Sequence, residues 1–173
     1  MDSFSQYCRQ EAETAALAQH LARCLSQLLL EPTAHINIAL EGDLGAGKTT
    51  FARYLIQGMG YAGKVKSPTY TLCEPYTLET NNGSSLTAHH FDLYRMRSPL
   101  EWQEAGFTEY FDMPGFCLIE WPEKAEATLP PFDLRIRLEP GVTDGQPEEQ
   151  ARQIEINADT AQGRALLSLL TFA

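Results

Sequence analysis

Residues Gly42, Asp43, Leu44, Gly45, Ala46, Gly47, Lys48, Thr49 and Thr50 match in full the phosphate-loop pattern G-x-x-x-x-G-K-[ST]. The pattern constrains the fold because it works only where a buried strand turns into a helix. Glycines let the backbone curl so that successive N–H groups converge on phosphate oxygens. Lys48 brings a mobile positive charge for the β- and γ-phosphates, the Thr49 hydroxyl can ligate Mg²⁺, and the helix that follows adds its positive end. The flanks agree. Ile36, Ile38, Ala39 and Leu40 form an apolar, strand-like run before the loop, and residues 51–56 continue as a helix after it. The alternative for an isolated match is a structural glycine turn; strand–loop–helix context favours a site for a nucleoside phosphate.

At 173 residues the chain suits a single domain, residues 1–173, large enough for a central sheet covered by helices on both faces. No segment approaches the apolar length needed to cross a bilayer. Residues 1–6 carry neither a basic stretch nor an apolar one, which points away from secretion. Cys8, Cys24, Cys73 and Cys117 lack metal-ligand spacing or a compact disulfide framework, so they read as free thiols in a reducing cytoplasm rather than as a redox switch. Acidic residues outnumber basic ones by 23 to 13, a net charge of −10. Proteins that grip long nucleic acid show a basic stripe. None is present here, so any link to nucleic acid should run through a partner.

Leu17, Leu21, Leu25 and Leu28 fall at helical spacing within residues 10–30, and Pro32 stops the run. A buried strand is expected at 36–41, and the helix after the phosphate loop should end near Gly58 or Gly60. Two extended stretches at 70–78 and 86–93 flank the turn signal Asn81, Asn82, Gly83, Ser84, which predicts an antiparallel hairpin. Ser98, Pro99, Leu100 and Glu101 start a short helix toward Gly106. Residues 116–120 make an apolar strand ending in an acid. Two half-exposed strands follow around 134–138 and 153–157, joined by 140–149, which reads as a mobile surface loop. Asp159 with Gln162 should cap a last helix carrying Leu166, Leu169 and Leu170. The fold class is therefore α/β, a three-layer sandwich like the P-loop NTPases, with a largely parallel central sheet and an antiparallel extension.

A phosphate loop alone is an incomplete site for phosphoryl transfer, which also needs a metal-organising carboxylate and a group that positions the nucleophile. Such groups belong at the carboxyl ends of buried strands. Glu120 ends one such strand and is placed to serve Mg²⁺ directly or through water; the alternative is an ordinary strand-end carboxylate facing solvent. Asp92 ends the second hairpin strand and could orient water, or it could pair with Arg95 on the surface. Ser67, Pro68 and Thr69 offer a threonine able to sense a γ-phosphate, against a plain strand-initiating turn. Trp121 lines either the nucleotide or a partner surface, or packs in the core. His89 and His90 lack zinc-ligand spacing and read as structural. No Asn-Lys-x-Asp follows the loop, since Asn81, Asn82 and Asn157 are followed by Asn, Gly and Ala, which removes the usual argument for guanine.

Four segments recur in order: G-D-L-G-A-G-K-T-T, S-P-T-Y-T-L with E-P-Y, H-F-D-L-Y-R, and L-I-E-W-P-E. Together they resemble the bacterial TsaE (YjeE) family over about residues 10–130. That resemblance implies an ATPase required for the threonylcarbamoyl modification of adenosine in tRNA, at position 37, working with TsaD and TsaB in the cytoplasm. It implies ATP/ADP binding by Gly45, Ala46, Gly47, Lys48, Thr49 and Thr50, Mg²⁺ held through Thr49 and Glu120, and a need for Asp92 in hydrolysis. It also implies that Glu11 and Thr14 approach the adenine. Two other functions suit a phosphate loop, a small-molecule kinase using Asp92 as base and a nucleotide-gated binding module with negligible turnover. The kinase is disfavoured because no arginine-bearing lid is recognisable.

Overall fold

The computed structural model describes residues 2–68, 70–80 and 83–172, which form seven strands and four α-helices. They are β1 (Ser3–Cys8), α1 (Glu11–Leu28), β2 (His35–Glu41), α2 (Lys48–Gly58), β3 (Cys73–Glu79), β4 (Ser85–Asp92), α3 (Glu101–Glu104), β5 (Gly115–Glu120), β6 (Leu134–Thr143), β7 (Gln146–Ala158) and α4 (Ala161–Phe172). The strands form one sheet in the order β1-β7-β6-β2-β5-β4-β3. Its four central strands β6, β2, β5 and β4 run parallel, and antiparallel partners extend it on both flanks.

Parallel strands covered on both faces are apolar throughout, and β5 is buried at every position. Its alternate residues serve two cores. Phe116 and Leu118 join Ile36, Ile38 and Leu40 of β2 under α1, α2 and α4, with Leu17, Leu21, Leu25, Phe51 and Leu55 packed above them. Cys117 and Ile119 face the other way, against Phe91, Leu93, Trp102 and Phe111. Long helices cover the first face; α3 and the short 3₁₀ turns Thr108–Phe111 and Pro122–Ala125 cover the second. This is the three-layer α/β arrangement expected from the sequence. None of the described helices is long and apolar enough to cross a membrane. All four cysteines are free and buried.

Three local expectations are corrected. The strand β1 was not anticipated; Phe4, Gln6 and Cys8 alternate over too short a stretch to signal it, and its pairing with β7 fixes it. Residues 140–149 are not a loop. They extend β6 and β7 into a hairpin that closes through Asp144 and Gly145, both at positive φ (52° and 78°), as a two-residue hairpin turn requires. The register shifts between Pro140 and Gly141, where Pro140 has no N–H to donate. The last helix is capped by Thr160, whose Oγ1 accepts from Gly163 N at 3.1 Å, not by Asp159. Asp159 instead takes both donors of Arg135, at 2.6 and 3.0 Å, which holds its carboxyl below the usual range. Of the expected hairpin turn, Asn81 and Asn82 lie outside the described residues, as does Thr69.

His89 lies on the second face of β4, stacked on Tyr110 with ring centroids 4.1 Å apart. Burial first, and the nearby His35 second, push its pKa down to about 4. Native His89 thus stays neutral where the unfolded chain would take up a proton, so stability should fall as pH drops from about 6.5 toward 4, by at most about 1.4 kcal/mol per pH unit. Urea denaturation of wild type and His89→Phe at pH 7 and pH 5 checks this. The substitution should flatten the decline, and parallel declines would assign the acid sensitivity elsewhere.

Candidate functional site

The phosphate loop leaves β2 at Gly42, where a Cβ would meet the Leu138 carbonyl oxygen of β6 at 2.5 Å. It enters α2 through Gly47 at φ 101°, a left-handed conformation that costs other residues strain. Lys48 opens α2 and is 5% exposed. Its Nζ donates to the backbone oxygens of Gly42 and, at 3.1 Å, Asp43, and stands 3.8 Å from the centre of the Trp121 ring. Burial lowers the Lys48 pKa, opposed by the carboxylates of Glu120, Glu123, Asp92 and Asp43.

Sheet register supplies the acids. Asp92 of β4 pairs with Glu120 of β5, and Glu120 pairs with Leu40 of β2, so all three stand at one level directly below the loop. Glu120 is 2% exposed. It accepts from Thr49 Oγ1 at 2.9 Å on one carboxylate oxygen and 3.0 Å on the other, and from His90 Nε2 at 2.6 Å. It is not a solvent-facing strand-end acid. Asp92 accepts from the Ser67 hydroxyl and, at 3.0 Å, from Tyr94 N. The surface pair with Arg95 is absent among the described residues; that guanidinium lies 6.0 Å from the Tyr70 ring centre.

A cavity of about 370 Å³ is lined by residues 44–50 together with Ser67, Asp92, Tyr94, Glu120, Trp121 and Arg152. Gly47, Thr50 and Arg152 are also walls of a second cavity, about 300 Å³, which Glu11, Thr14, Leu138, Glu149 and Gln150 complete. The fold brings residues 45–50, Asp92 and Glu120 to the first of two adjoining hollows and Glu11 and Thr14 to the second, while Thr69 lies outside the described residues. Thr49 and Glu120 present hard oxygen donors side by side, a set that suits Mg²⁺ when phosphate oxygens and water fill the remaining positions. Among the described residues, no group of three or more His, Cys, Asp or Glu side chains could hold a metal ion.

A family model described as threonylcarbamoyl adenosine biosynthesis protein TsaE matches residues 8–154. The chain belongs to the TsaE family. It is 38% identical to the tRNA threonylcarbamoyladenosine biosynthesis protein TsaE of Haemophilus influenzae over 97% of this chain and 98% of that protein. The protein of the same name from Bacillus subtilis is 42% identical over 57% of this chain and 58% of its own length. Among solved structures, the crystal structure of Bacillus subtilis YdiB superposes with a TM-score of 0.72 at 29% identity, covering 98% of this chain and 95% of that one.

Two residues of this TsaE-family site were missed from sequence. His90 lacks zinc-ligand spacing and so reads as structural, yet it lies two positions before Asp92 on one strand and therefore on the same face, a clue that period-two alternation does contain. Arg152 gave no local signal. Its Nε donates to Ala46 O at 2.6 Å and its Nη2 to Gly45 O at 3.4 Å, while Nη1 reaches Glu149 O and Ala151 O at 2.8 Å each. One guanidinium thus ties the crown of the phosphate loop to β7. Arg152→Met keeps the stem and removes those donors. It should cost about 1–3 kcal/mol in urea denaturation and speed hydrogen exchange of the amides of residues 44–47. Unchanged exchange there would mean that the loop holds its shape without Arg152.

Proposed function

We propose that the chain is the Mg²⁺-dependent ATP-binding and ATP-hydrolysing component of the cytoplasmic machinery that forms N6-threonylcarbamoyladenosine at position 37 of tRNA, acting with TsaD and TsaB. The observation that carries this reading is the contact of Thr49 with both oxygens of Glu120 at the mouth of the phosphate loop, beside buried Lys48. The names of the relatives supply the pathway, and four co-occurring sequence segments supply the partners by resemblance.

Residues 45–50 would cradle the phosphates with their N–H groups, and Lys48 would exchange its backbone partners for phosphate oxygens. Thr49 and Glu120 would hold Mg²⁺, which when bound supplies positive charge to the phosphate oxygens. Asp92, fixed by Ser67 and by Tyr94 N, is aimed into the same hollow and is assigned to orient water. Glu11 and Thr14 in the adjoining hollow are assigned to the adenine side.

Charge accounting favours slow turnover alone. The guanidinium of Arg152 is engaged by four backbone carbonyls, and that of Arg95 lies over Tyr70. A further cation at the transferring group is worth about 10³–10⁵ in rate in related P-loop enzymes, so a partner has a large contribution to make. The acidic surface, at net charge −10, favours tRNA reaching this assembly through the partners.

Calorimetry should show Lys48→Ala weakening ATP about 10–100-fold even without metal, with Thr49→Ala losing mainly the Mg²⁺-dependent part. Equal ATP affinity in wild type and Lys48→Ala would remove the phosphate-loop assignment. Asp92→Asn should keep nucleotide binding and lose turnover. Hydrolysis by the isolated chain should be slow and should rise when TsaB and TsaD are added. Strong stimulation by tRNA without those proteins would count against a partner-completed site.

A further inference from the structure

His90 is fully buried, at 0% exposure, two residues before the end of β4. Its neighbours along the strand on the same face are Ala88 and Asp92, and across the sheet stand Leu118 of β5 and Glu74 of β3. Among the described residues its ring makes one polar contact, Nε2–H donating to Glu120 Oε2 at 2.6 Å. The other ring nitrogen, Nδ1, is buried without a hydrogen-bond partner among the described residues. An imidazole here is a poor choice for packing alone, because a buried nitrogen left unpaired costs free energy that an apolar side chain of similar size would not. What the imidazole does supply is a donor aimed at one oxygen of Glu120.

That donor matters because the carboxylate is otherwise held from one side only. Thr49 Oγ1 reaches both Glu120 oxygens almost equally, at 2.9 and 3.0 Å, so this contact does not choose between them. The His90 contact does. It engages Oε2 alone and leaves Oε1 with the Thr49 hydroxyl as its partner among the described residues, both side chains lining the phosphate-loop cavity. We infer that His90 is a positioning residue for the metal site, fixing the rotation of the Glu120 carboxylate so that one oxygen stays available to Thr49 and to a divalent cation bound with the nucleotide. It works through Glu120 and touches neither nucleotide nor metal. Groups that orient metal-holding carboxylates and imidazoles in this way commonly change metal affinity about 10–100-fold when removed.

The inference rests on the Mg²⁺–nucleotide reading of the same site, and binding measurements separate the two. The Mg²⁺-induced gain in ADP affinity is measured by calorimetry, with and without MgCl₂, for wild type, His90→Leu, His90→Gln, Glu120→Gln and the double variant His90→Leu/Glu120→Gln. Wild type should show the gain. His90→Leu should bind ADP without metal as wild type does and lose at least about tenfold of the gain. His90→Gln, which keeps an N–H donor, should recover most of it. The double variant should be no worse than Glu120→Gln, since His90 acts through that side chain.

Full retention of the gain in His90→Leu, or additive losses in the double variant, would overturn the inference and leave the nucleotide reading standing. Absence of the gain in wild type would overturn both. If His90→Leu does not fold, as judged by thermal melting, His90→Gln decides: a loss there as deep as that of Glu120→Gln means that donation to the carboxylate is not what the ring provides.

Discussion

Hydrogen bonding between β2, β5 and β4 sets three chain segments to one level: Leu40, Glu120 and Asp92 lie in register across parallel strands. The last residues of these strands and the start of α2 therefore converge without any loop having to reach far. Side chains alternate between faces along a strand, so slipping β5 by one residue would send Glu120 to the Trp102–Phe111 face and bring Ile119 to Thr49. The two cores, with Phe116 and Leu118 on one side and Cys117 and Ile119 on the other, make that slip costly. Packing at a distance from the cavity is what enforces the chemistry within it.

Charged and polar side chains in the site are buried to an extent that would be unfavourable if they were unpaired. Lys48 meets backbone oxygens and the face of Trp121, and Glu120 meets Thr49 and His90. Trp121 can present that face because it occupies the left-handed region, at φ 59° and ψ 50°, directly after β5. A bulky residue at positive φ is strained, and such strain persists where the surroundings hold it in place. Tyr94 does so here, with its ring 4.9 Å from the indole.

Legibility in the sequence followed the range of the interactions. The phosphate loop, the helix after it and the strands ending at Asp92 and Glu120 are local patterns, and apolar periodicity with strand-end position located them. Their mutual placement follows from parallel α/β topology, which brings strand ends to one edge. What escaped depended on distant pairing. β1 exists because β7 offers it an edge, and residues 140–149 are strands because β6 and β7 continue past a bulge; a stretch rich in Gly, Pro and acids looks like a loop until its partner is known. Asp159 looked like a cap because nothing nearby in sequence indicated that Arg135 would claim it. His90 is the intermediate case, with its face readable from alternation and its partner not.

The guanidinium that holds Ala46 comes from a residue 106 positions later in the chain. During synthesis β2, the phosphate loop and α2 emerge long before β7, so the loop is complete in covalent terms while its brace does not yet exist. β7 also receives β1, with Cys8 paired to Arg152 itself, which places the brace among contacts of high sequence separation, whose loop-closure cost must be met before they form. A chain arrested before Arg152 would carry the whole phosphate-loop motif without the clamp across its crown. Through that clamp, the earliest functional segment of the protein takes its finished shape from one of the last to be made.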